Sequence, residues 1–233
     1  LRNPIIFLQT EENLGFAGGN NVALKMLSES NLDDSAKVFL LNPDTFIDKN
    51  ALTELNKIQD DLFISSCTIK AYEEPMSTGF SGSFKINKPF GIIKNLKVGE
   101  NIDYIYGGAL LTNLKTIRKI GLMPNEYFLY WEETDWCYGA KLQNVKLAVC
   151  KDAVVYDKVG TSTGRGYLAN YYFIRNGLIF YSKYLKRFIP TLCAYIGLRI
   201  LDKIKKGEVQ SAKAMIHGAK DYFKGKKGYT PLS

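Results

Sequence analysis

The sequence predicts an α/β fold in which a mostly parallel sheet is flanked by helices. Short apolar runs with strand composition, at residues 38–41 and 63–68, alternate with amphipathic segments such as residues 51–59. This alternation is typical of parallel strands joined by crossover helices. A chain of 233 residues with 46% hydrophobic and 23% charged residues can also bury a substantial core.

The composition argues against a cysteine-based zinc site, a histidine-rich metal site and a nucleic-acid-binding function. The four cysteines show no C-x-x-C spacing, which argues against zinc or a disulfide framework and fits a reducing compartment. His217 is the only histidine, so oxygen atoms would have to supply most metal ligands. Residues 1–164 carry 17 basic and 20 acidic side chains, whereas residues 165–233 carry 14 and 3. Basic character is therefore confined to the last third, which argues against a nucleic-acid-binding protein.

The chain begins with a predicted strand at residues 4–8, which follows no recognisable signal peptide. A glycine- and asparagine-rich turn at residues 13–21 follows, and a helix is predicted at residues 22–27. Free N–H groups at a helix start favour anions, so this turn is a candidate phosphate contact. A tight turn with a helix cap explains the same residues equally simply.

Asp44 is the first candidate metal ligand. It follows the apolar run at residues 38–41, and Pro43 ends that strand because it lacks an N–H group. The carboxylate is therefore expected at the carboxyl end of a core strand, where open α/β sheets bind ligands. A hard carboxylate there suits a divalent cation that carries phosphate oxygens. An Asx-type turn after a strand is the alternative explanation.

The middle of the chain predicts a less regular segment and then a second candidate edge. Residues 71–100 are punctuated by glycines and predict loops or a hairpin. Residues 102–106 predict a strand that ends at Gly107 and Gly108, where the backbone can be approached closely. Residues 113–120 predict a helix that stops at Gly121.

Three acids form the candidate catalytic cluster. Glu132, Glu133 and Asp135 lie in the first turn of a helix predicted at residues 132–143, after the aromatic segment that ends at Trp131. Glu132 and Asp135 share a face, and the aromatic surroundings would raise a carboxyl pKa by desolvation, which suits a general base. Favourable interaction with the helix dipole explains acids at this position without any function.

The late strands predicted at residues 146–149 and 153–156 end at Asp157, which begins a loop at residues 157–164. This carboxylate is a further candidate ligand, and a solvated turn is an equally good interpretation. A helix is predicted at residues 167–185. The apolar segment at residues 188–204 is shorter than a bilayer span and has basic flanks. A helix lying in an anionic membrane interface and a helix pair with a solvated basic face remain equal alternatives.

Together these stretches resemble the family 2 inverting glycosyltransferases of the GT-A fold, most closely the rhamnosyltransferase-like members of bacterial surface polysaccharide synthesis. Four motifs carry the resemblance in order and spacing: N-x-G-F-x-x-G-x-N at residues 13–21, L-N-P-D at 41–44, F-x-Y-x-E-[ED]-x-D at 128–135 and Y-Y-x-x-R-N at 171–176. The resemblance spans residues 13–228. We expect a truncated GT-A-like catalytic domain at residues 1–164 and a helical, basic region at residues 165–233, for which membrane association is one of the two alternatives given above.

The resemblance implies a role for each candidate residue. Asp44 would hold Mg²⁺ or Mn²⁺ on the donor diphosphate, and Glu133 would be the base that deprotonates the acceptor, with Glu132 and Asp135 orienting acceptor or base. The residues implied to bind donor or substrate are Asn13, Gly15, Gly18, Asn21, Asn42, Gly107, Gly108 and Trp131.

The implied substrates follow from the same resemblance. The donor would be dTDP-rhamnose or a UDP-sugar, and the acceptor a glycan or lipid-linked glycan at the inner face of the plasma membrane. The membrane surface would be contacted through residues 183–206, whereas nucleic acid is not an expected partner and the oligomeric state is not predicted.

Two departures from the family pattern qualify these roles. Asp157 stands where many relatives carry a histidine that can bind metal; it could replace that ligand by an oxygen. The chain also starts at about the family's third strand, so a truncated or split protein with an incomplete nucleoside site is expected. A non-catalytic GT-A-like subunit that binds a partner or membrane is therefore the alternative function.

Overall fold

The computed structural model describes residues 5–73, 79–97, 100–158 and 166–231. The helices are α1 Gly15–Ser28, α2 Ala51–Asn56, α3 Leu114–Ile120, α4 Glu132–Leu142, α5 Tyr167–Tyr184, α6 Ile189–Lys205 and α7 Val209–Phe223. The strands are β1 Lys37–Leu41, β2 Thr45–Ile47, β3 Phe63–Ala71, β4 Ser83–Asn87, β5 Ile92–Asn95, β6 Tyr104–Ile105, β7 Ala109–Asn113 and β8 Lys146–Asp157. The predicted α/β architecture is confirmed.

The central sheet has five strands in the order β1-β7-β3-β8-β2. Strands β3 and β8 pair in parallel, whereas β7 runs antiparallel to both β1 and β3, and β2 runs antiparallel to β8. Three strands therefore share one direction, but the sheet is more mixed than predicted. The two strands of opposite direction are β7, which follows β6 of the second sheet, and β2, which follows β1 after a short turn and pairs with β8 instead of β1.

Several element boundaries differ from the prediction. Residues 109–113 form β7, although the sequence predicts only the end of a strand before them, and β8 is one long strand with a bulge opposite Cys67 and Thr68. The predicted hairpin is present as β4–β5, which joins β6 in a second, three-stranded sheet. Part of the predicted 71–100 segment and most of the 157–164 loop lie outside the described residues.

The amino-terminal prediction is wrong in two respects. Residues 5–8 form no strand, and Ile5 and Phe7 are 97% and 84% exposed, because no described strand edge pairs with them. The glycine- and asparagine-rich segment does not precede the first helix but forms its opening turns, since α1 starts at Gly15.

The main core lies between the sheet and the helices that cover it. It contains buried residues from α1 and α4 together with Leu178 and Phe180 of α5 and Leu192 of α6. A smaller cluster on the other side of the sheet packs α2 against β3 and β8. Among the described residues, no helix is both long and apolar enough to cross a bilayer.

Candidate active site

The end of β1 and the turn before β7 meet at one edge of the sheet. The backbone N–H group of Asn42 donates to the carbonyl of Gly108 at 2.9 Å, and Asp44 lies in the tight turn between β1 and β2. That turn is closed by Thr45, whose backbone N–H and hydroxyl both donate to the Asn42 carbonyl. The structure therefore brings together the predicted residues Asn42, Asp44 and Gly108.

Tyr106 connects this turn to the end of β8. Its hydroxyl donates to Oδ2 of Asp157, and Thr45, next to Asp44, is the ladder partner of Asp157. Burial and the hydrogen bond to Asp157, followed by the charges of Asp157, Asp44 and Glu133, raise the Tyr106 pKa well above its usual range. Three acids from separate elements therefore act on one phenol ring.

Glu133 enters the same region from the start of α4. A Cβ atom added to Gly107 would lie 3.3 Å from Cγ of Glu133 and 3.2 Å from the Phe16 ring. Any side chain at position 107 would crowd these two residues, so glycine there permits the close approach of Glu133 and Phe16 to the backbone. Gly107 and the start of the acidic helix α4 are thus adjacent in the fold.

The two glutamates of this cluster have unusual electrostatics. The Oε2 atoms of Glu132 and Glu133 are buried and have no hydrogen-bond partner among the described residues. Burial raises the pKa of both carboxyl groups above the ordinary value of 4.5, and the charge of Glu133 raises that of Glu132 further. Buried polar atoms without a partner are rare in native proteins, and a carboxyl with a raised pKa is suited to proton transfer.

The loop before α4 is held in a sparsely populated backbone conformation. Phe128, Tyr130 and Trp131 have φ values of 68°, 64° and 77°, although none is a glycine. Each such residue costs about 1–3 kcal/mol and persists only where its surroundings enforce it. Strain of this kind in the segment that presents the two glutamates is a further mark of a functional site.

Arg175 and Asn176 of α5 enforce that conformation, and both are completely buried. The Asn176 amide donates to the carbonyls of Tyr127, Leu129 and Tyr130 at 2.8, 2.7 and 3.1 Å. The Arg175 guanidinium donates to the carbonyls of Tyr127 and Gly228 at 3.1 and 2.8 Å. The R-N pair of the Y-Y-x-x-R-N motif therefore fixes the loop by binding its backbone.

Asp135 lies in a different environment from the two glutamates. It is 3% exposed and accepts from the hydroxyls of Tyr127 and Tyr184 and from the Lys183 ammonium group at 2.8 Å. The contacts with Lys183 and Tyr184 tie α4 to α5. Its expected role in orienting the base or the acceptor stays a prediction.

The start of α1 contacts the loop before α4. The Phe16 N–H group donates to the Phe128 carbonyl at 3.1 Å, and a Cβ atom on Gly15 would lie 2.2 Å from that oxygen. Asn13 accepts from the Gly15 N–H, so this donor is not free for an anion. Gly18 is buried against Leu14.

Two further predicted substrate contacts are engaged within the protein. The Asn21 side chain bonds both backbone groups of Met123 and the Asn125 side chain. The Trp131 indole N–H donates to the Phe173 carbonyl at 3.0 Å, and its ring is only 4% exposed. Direct contact of these residues with a substrate stays a prediction.

The carboxylate oxygens near the turn between β1 and β2 are of the chemical type that binds a divalent cation. Asp44 directly precedes Thr45, the ladder partner of Asp157, so the two acids lie at the same end of the β2–β8 pair, and Asp157 accepts from Tyr106 through Oδ2. The described residues contain no group of three histidine, cysteine or acidic side chains able to hold a metal. Mg²⁺ is commonly bound by one or two carboxylates and completed by substrate phosphates, which fits this pair.

The site residues that sequence reasoning missed are Tyr106, Arg175 and Asn176. Tyr106 directly precedes the glycine pair, so its position at the sheet edge has a signal in the sequence. Arg175 and Asn176 belong to the Y-Y-x-x-R-N motif, and an Arg-Asn pair within an aromatic helix is a signal for buried polar contacts.

Comparisons with known proteins bear on the fold and the class of the protein. No known protein-family profile matches the chain. A curated relative is the low-salt glycan biosynthesis hexosyltransferase Agl10 of Haloferax volcanii, 25% identical over 157 residues. The match covers 64% of this chain and 50% of that protein, so the chain spans about half the length of this relative.

A solved structure has a similar fold. The crystal structure of GalNAc-T7 with UDP, GalNAc and Mn²⁺ matches with a TM-score of 0.50 at 12% identity, over 72% of this chain and 35% of that one. This likeness supports the GT-A-like fold that the motifs implied.

Proposed function

We propose that this protein is a glycosyltransferase that moves a sugar from a nucleotide-sugar donor to a glycan or lipid-linked acceptor. The observation that carries the proposal is the pair of unpartnered, buried carboxylate oxygens on Glu132 and Glu133, beside Gly107 and the Asp44 turn. The hexosyltransferase relative and the neighbour solved with UDP support the same class.

In the proposed reaction Glu133 is the base. Its carboxylate takes the proton of the acceptor hydroxyl while the hydroxyl oxygen forms a bond to the anomeric carbon. The bond from that carbon to the donor diphosphate breaks, and its electron pair leaves with the nucleoside diphosphate. Attack from the face opposite the leaving group gives one displacement with inversion of configuration.

The other acids have supporting roles in this proposal. Glu132 is a second buried carboxyl next to the base, and burial and the charge of Glu133 raise its pKa, which favours its neutral form; Asp135 positions α4 against α5 through Lys183 and Tyr184. Asp44 and Asp157 would hold Mg²⁺ or Mn²⁺, which when bound would neutralise charge on the departing diphosphate.

The finer assignment rests on the motif resemblance. It makes dTDP-rhamnose or a UDP-sugar the donor, and bacterial surface polysaccharide synthesis the process. A peripheral position on the inner face of the plasma membrane is supported by α6, whose side chains Leu198, Leu201 and Ile204 are 66%, 55% and 49% exposed among basic residues. Such a face suits an anionic membrane surface.

The test measures donor hydrolysis and transfer with UDP- and dTDP-sugars in Mn²⁺, with and without a chelator. We expect Mn²⁺-dependent release of the nucleoside diphosphate, and a loss of transfer of at least about a hundredfold in Glu133→Gln, as for removal of a general base. Glu126→Gln is the matched control, because it removes a carboxylate whose partner is the exposed Lys227.

The outcomes separate the two candidate functions. Equal activity of Glu133→Gln and Glu126→Gln would contradict the assignment of the base. Failure to bind any nucleotide sugar in the presence of Mn²⁺ would contradict the enzyme proposal and favour a non-catalytic GT-A-like subunit.

A further inference from the structure

An apolar cavity of about 330 Å³ lies between α5, α6 and the loop before α4. Its deep walls include the buried side chains of Trp131, Leu178 and Leu192. Two half-exposed aromatic rings also line it, Phe90 from the β4–β5 turn and Phe173 from α5. The cavity is outside the group formed by Asp44, Glu133 and Asp157, but it shares Trp131 with the segment that presents the glutamates.

The chemistry of the walls favours an aliphatic ligand over a sugar. The Trp131 indole N–H is already bonded to the Phe173 carbonyl, and the Asn170 amide is bonded to the Gly166 carbonyl. A sugar bound deep in the cavity, against Leu178, Leu192 and the Trp131 ring, would therefore lose more hydrogen bonds to water than it regains there. An apolar chain loses nothing of this kind and gains the burial of its surface.

The volume of the cavity sets the length of chain that fits. An engineered apolar cavity of about 150 Å³ admits benzene, so roughly twice that volume accommodates a chain of about ten carbon atoms. The remainder of a longer chain would extend past the half-exposed rings of Phe90 and Phe173.

The lining also includes one cation suited to an anionic head group. Arg199 of α6 lines the cavity, is exposed, and donates to the Tyr195 hydroxyl at 3.2 Å. Within the described part of the chain it forms no ion pair with an acidic side chain. An arginine that keeps its charge and retains free N–H groups is well suited to bind a phosphate.

We propose that this cavity binds the aliphatic chain of a lipid-linked acceptor whose carrier is a phosphorylated polyprenyl or alkyl chain, with that phosphate at Arg199 and the acceptor hydroxyl on the attached glycan. Trp131 directly precedes Glu132, so a chain anchored on this ring is held next to the start of α4. The role as acceptor rests on the proposed transferase function, whereas the binding of the chain does not.

The experiment is a titration of the protein with farnesyl phosphate below its micellar concentration, without donor or metal. Trp131 and Trp136 are the only tryptophans, and Trp136 bonds the Gly121 carbonyl and is not part of the cavity lining. The Trp136→Phe background therefore leaves Trp131 as a fluorescence reporter inside the cavity, and calorimetry measures the affinity independently.

Two pairs of variants locate the bound molecule. Ala169→Phe fills the cavity and is expected to weaken binding at least about tenfold, whereas Ala194→Phe, at an exposed position of α6 outside the cavity lining, leaves it unchanged. Arg199→Ala is expected to weaken binding about fivefold, whereas Arg187→Ala does not. Arg187 is a matched control because it is also exposed and also lies over an aromatic ring, at 4.6 Å from Phe188.

The remaining arms distinguish competing ligands. Inorganic phosphate, methyl glucoside and anionic phospholipid vesicles are titrated in parallel, and we expect none of them to change Trp131 fluorescence. An equal response to the glucoside or to the vesicles would overturn the proposal, as would equal affinities of Ala169→Phe and Ala194→Phe. Arg199→Ala keeps the test decisive if Ala169→Phe does not fold.

The proposed function fails separately from this inference. Farnesyl phosphate binding without any sugar transfer would contradict the enzyme proposal alone. Sugar transfer by a protein that does not bind farnesyl phosphate would contradict the cavity assignment alone.

Discussion

Replacing Glu133 by glutamine should make the folded protein more stable at alkaline pH while abolishing transfer. In the unfolded chain this carboxyl ionises near its ordinary pKa of 4.5, whereas burial raises the pKa in the folded protein. Below pH 4.5 both states are protonated and the group does not oppose folding. As the pH rises toward the folded pKa, only the unfolded state gains the favourable ionisation, so stability decreases.

The size of the effect follows from the unpartnered Oε2 atom of Glu133. A buried polar group without a hydrogen bond costs about 1–3 kcal/mol, and more when it is charged. The glutamine amide keeps part of the polar cost but removes the charge, so we expect Glu133→Gln to gain about 1–2 kcal/mol at pH about 8.5 and close to zero at pH about 4.5.

The assay is urea unfolding of wild type and variant at both pH values. Glu126→Gln is measured in parallel, because the ion pair that it removes lies at the surface and should change stability by less than about 1 kcal/mol. A gain that is the same at both pH values, or a loss of stability at pH about 8.5, would refute the reasoning that burial raises this pKa.

Three further substitutions test other parts of the site. Asn176→Ala removes three hydrogen bonds to the strained loop and should lower the free energy of unfolding, measured in urea, by about 2–4 kcal/mol. The control Asn170→Ala removes one hydrogen bond near the start of α5 and should lower it by less than about 1 kcal/mol. Gly15→Ala should lower the unfolding temperature, because Gly15 has a φ of +73° and no space for a Cβ atom. Its control Gly19→Ala, with open space around it, should raise the free energy of unfolding by about 0.5–1 kcal/mol. Unchanged melting temperatures of both variants would contradict the close contact of Gly15 with Phe128. Tyr106→Phe frees the Asp157 oxygen and should tighten Mn²⁺ binding several-fold by calorimetry, whereas weaker binding would show that the hydroxyl positions this ligand.

The parts of the site that could be predicted depend on local chemistry. A proline that follows an apolar run ends a strand, so Pro43 made it possible to place Asp44 at a strand end. The three acids could be placed in the first turn of α4, because their spacing and the helical period that follows are both local. In each case the decisive signal lies within a few residues of the side chain concerned.

The parts that could not be predicted depend on tertiary contacts. The helical start at Gly15 is stabilised by the Phe128 carbonyl, which is more than a hundred residues away in the chain. Strand β7 follows the Gly107–Gly108 pair, which in sequence indicates the end of a strand, so only its pairing with β1 and β3 identifies it. The positive φ values of Phe128, Tyr130 and Trp131 likewise oppose local preference and require the buried amide of Asn176.

The raised pKa of Glu133 results from two opposing effects, and the strained loop controls both. Burial raises the pKa of this carboxyl and is the larger effect, whereas backbone N–H groups of Glu133 and Thr134 at the start of α4 lower it. The loop that Asn176 holds determines where α4 begins, and thus where those N–H groups point. Relaxation of the loop would therefore change the solvent exposure and the N–H contacts of Glu133 together, which gives the fully buried Arg175–Asn176 pair on α5 an indirect influence on the proposed base.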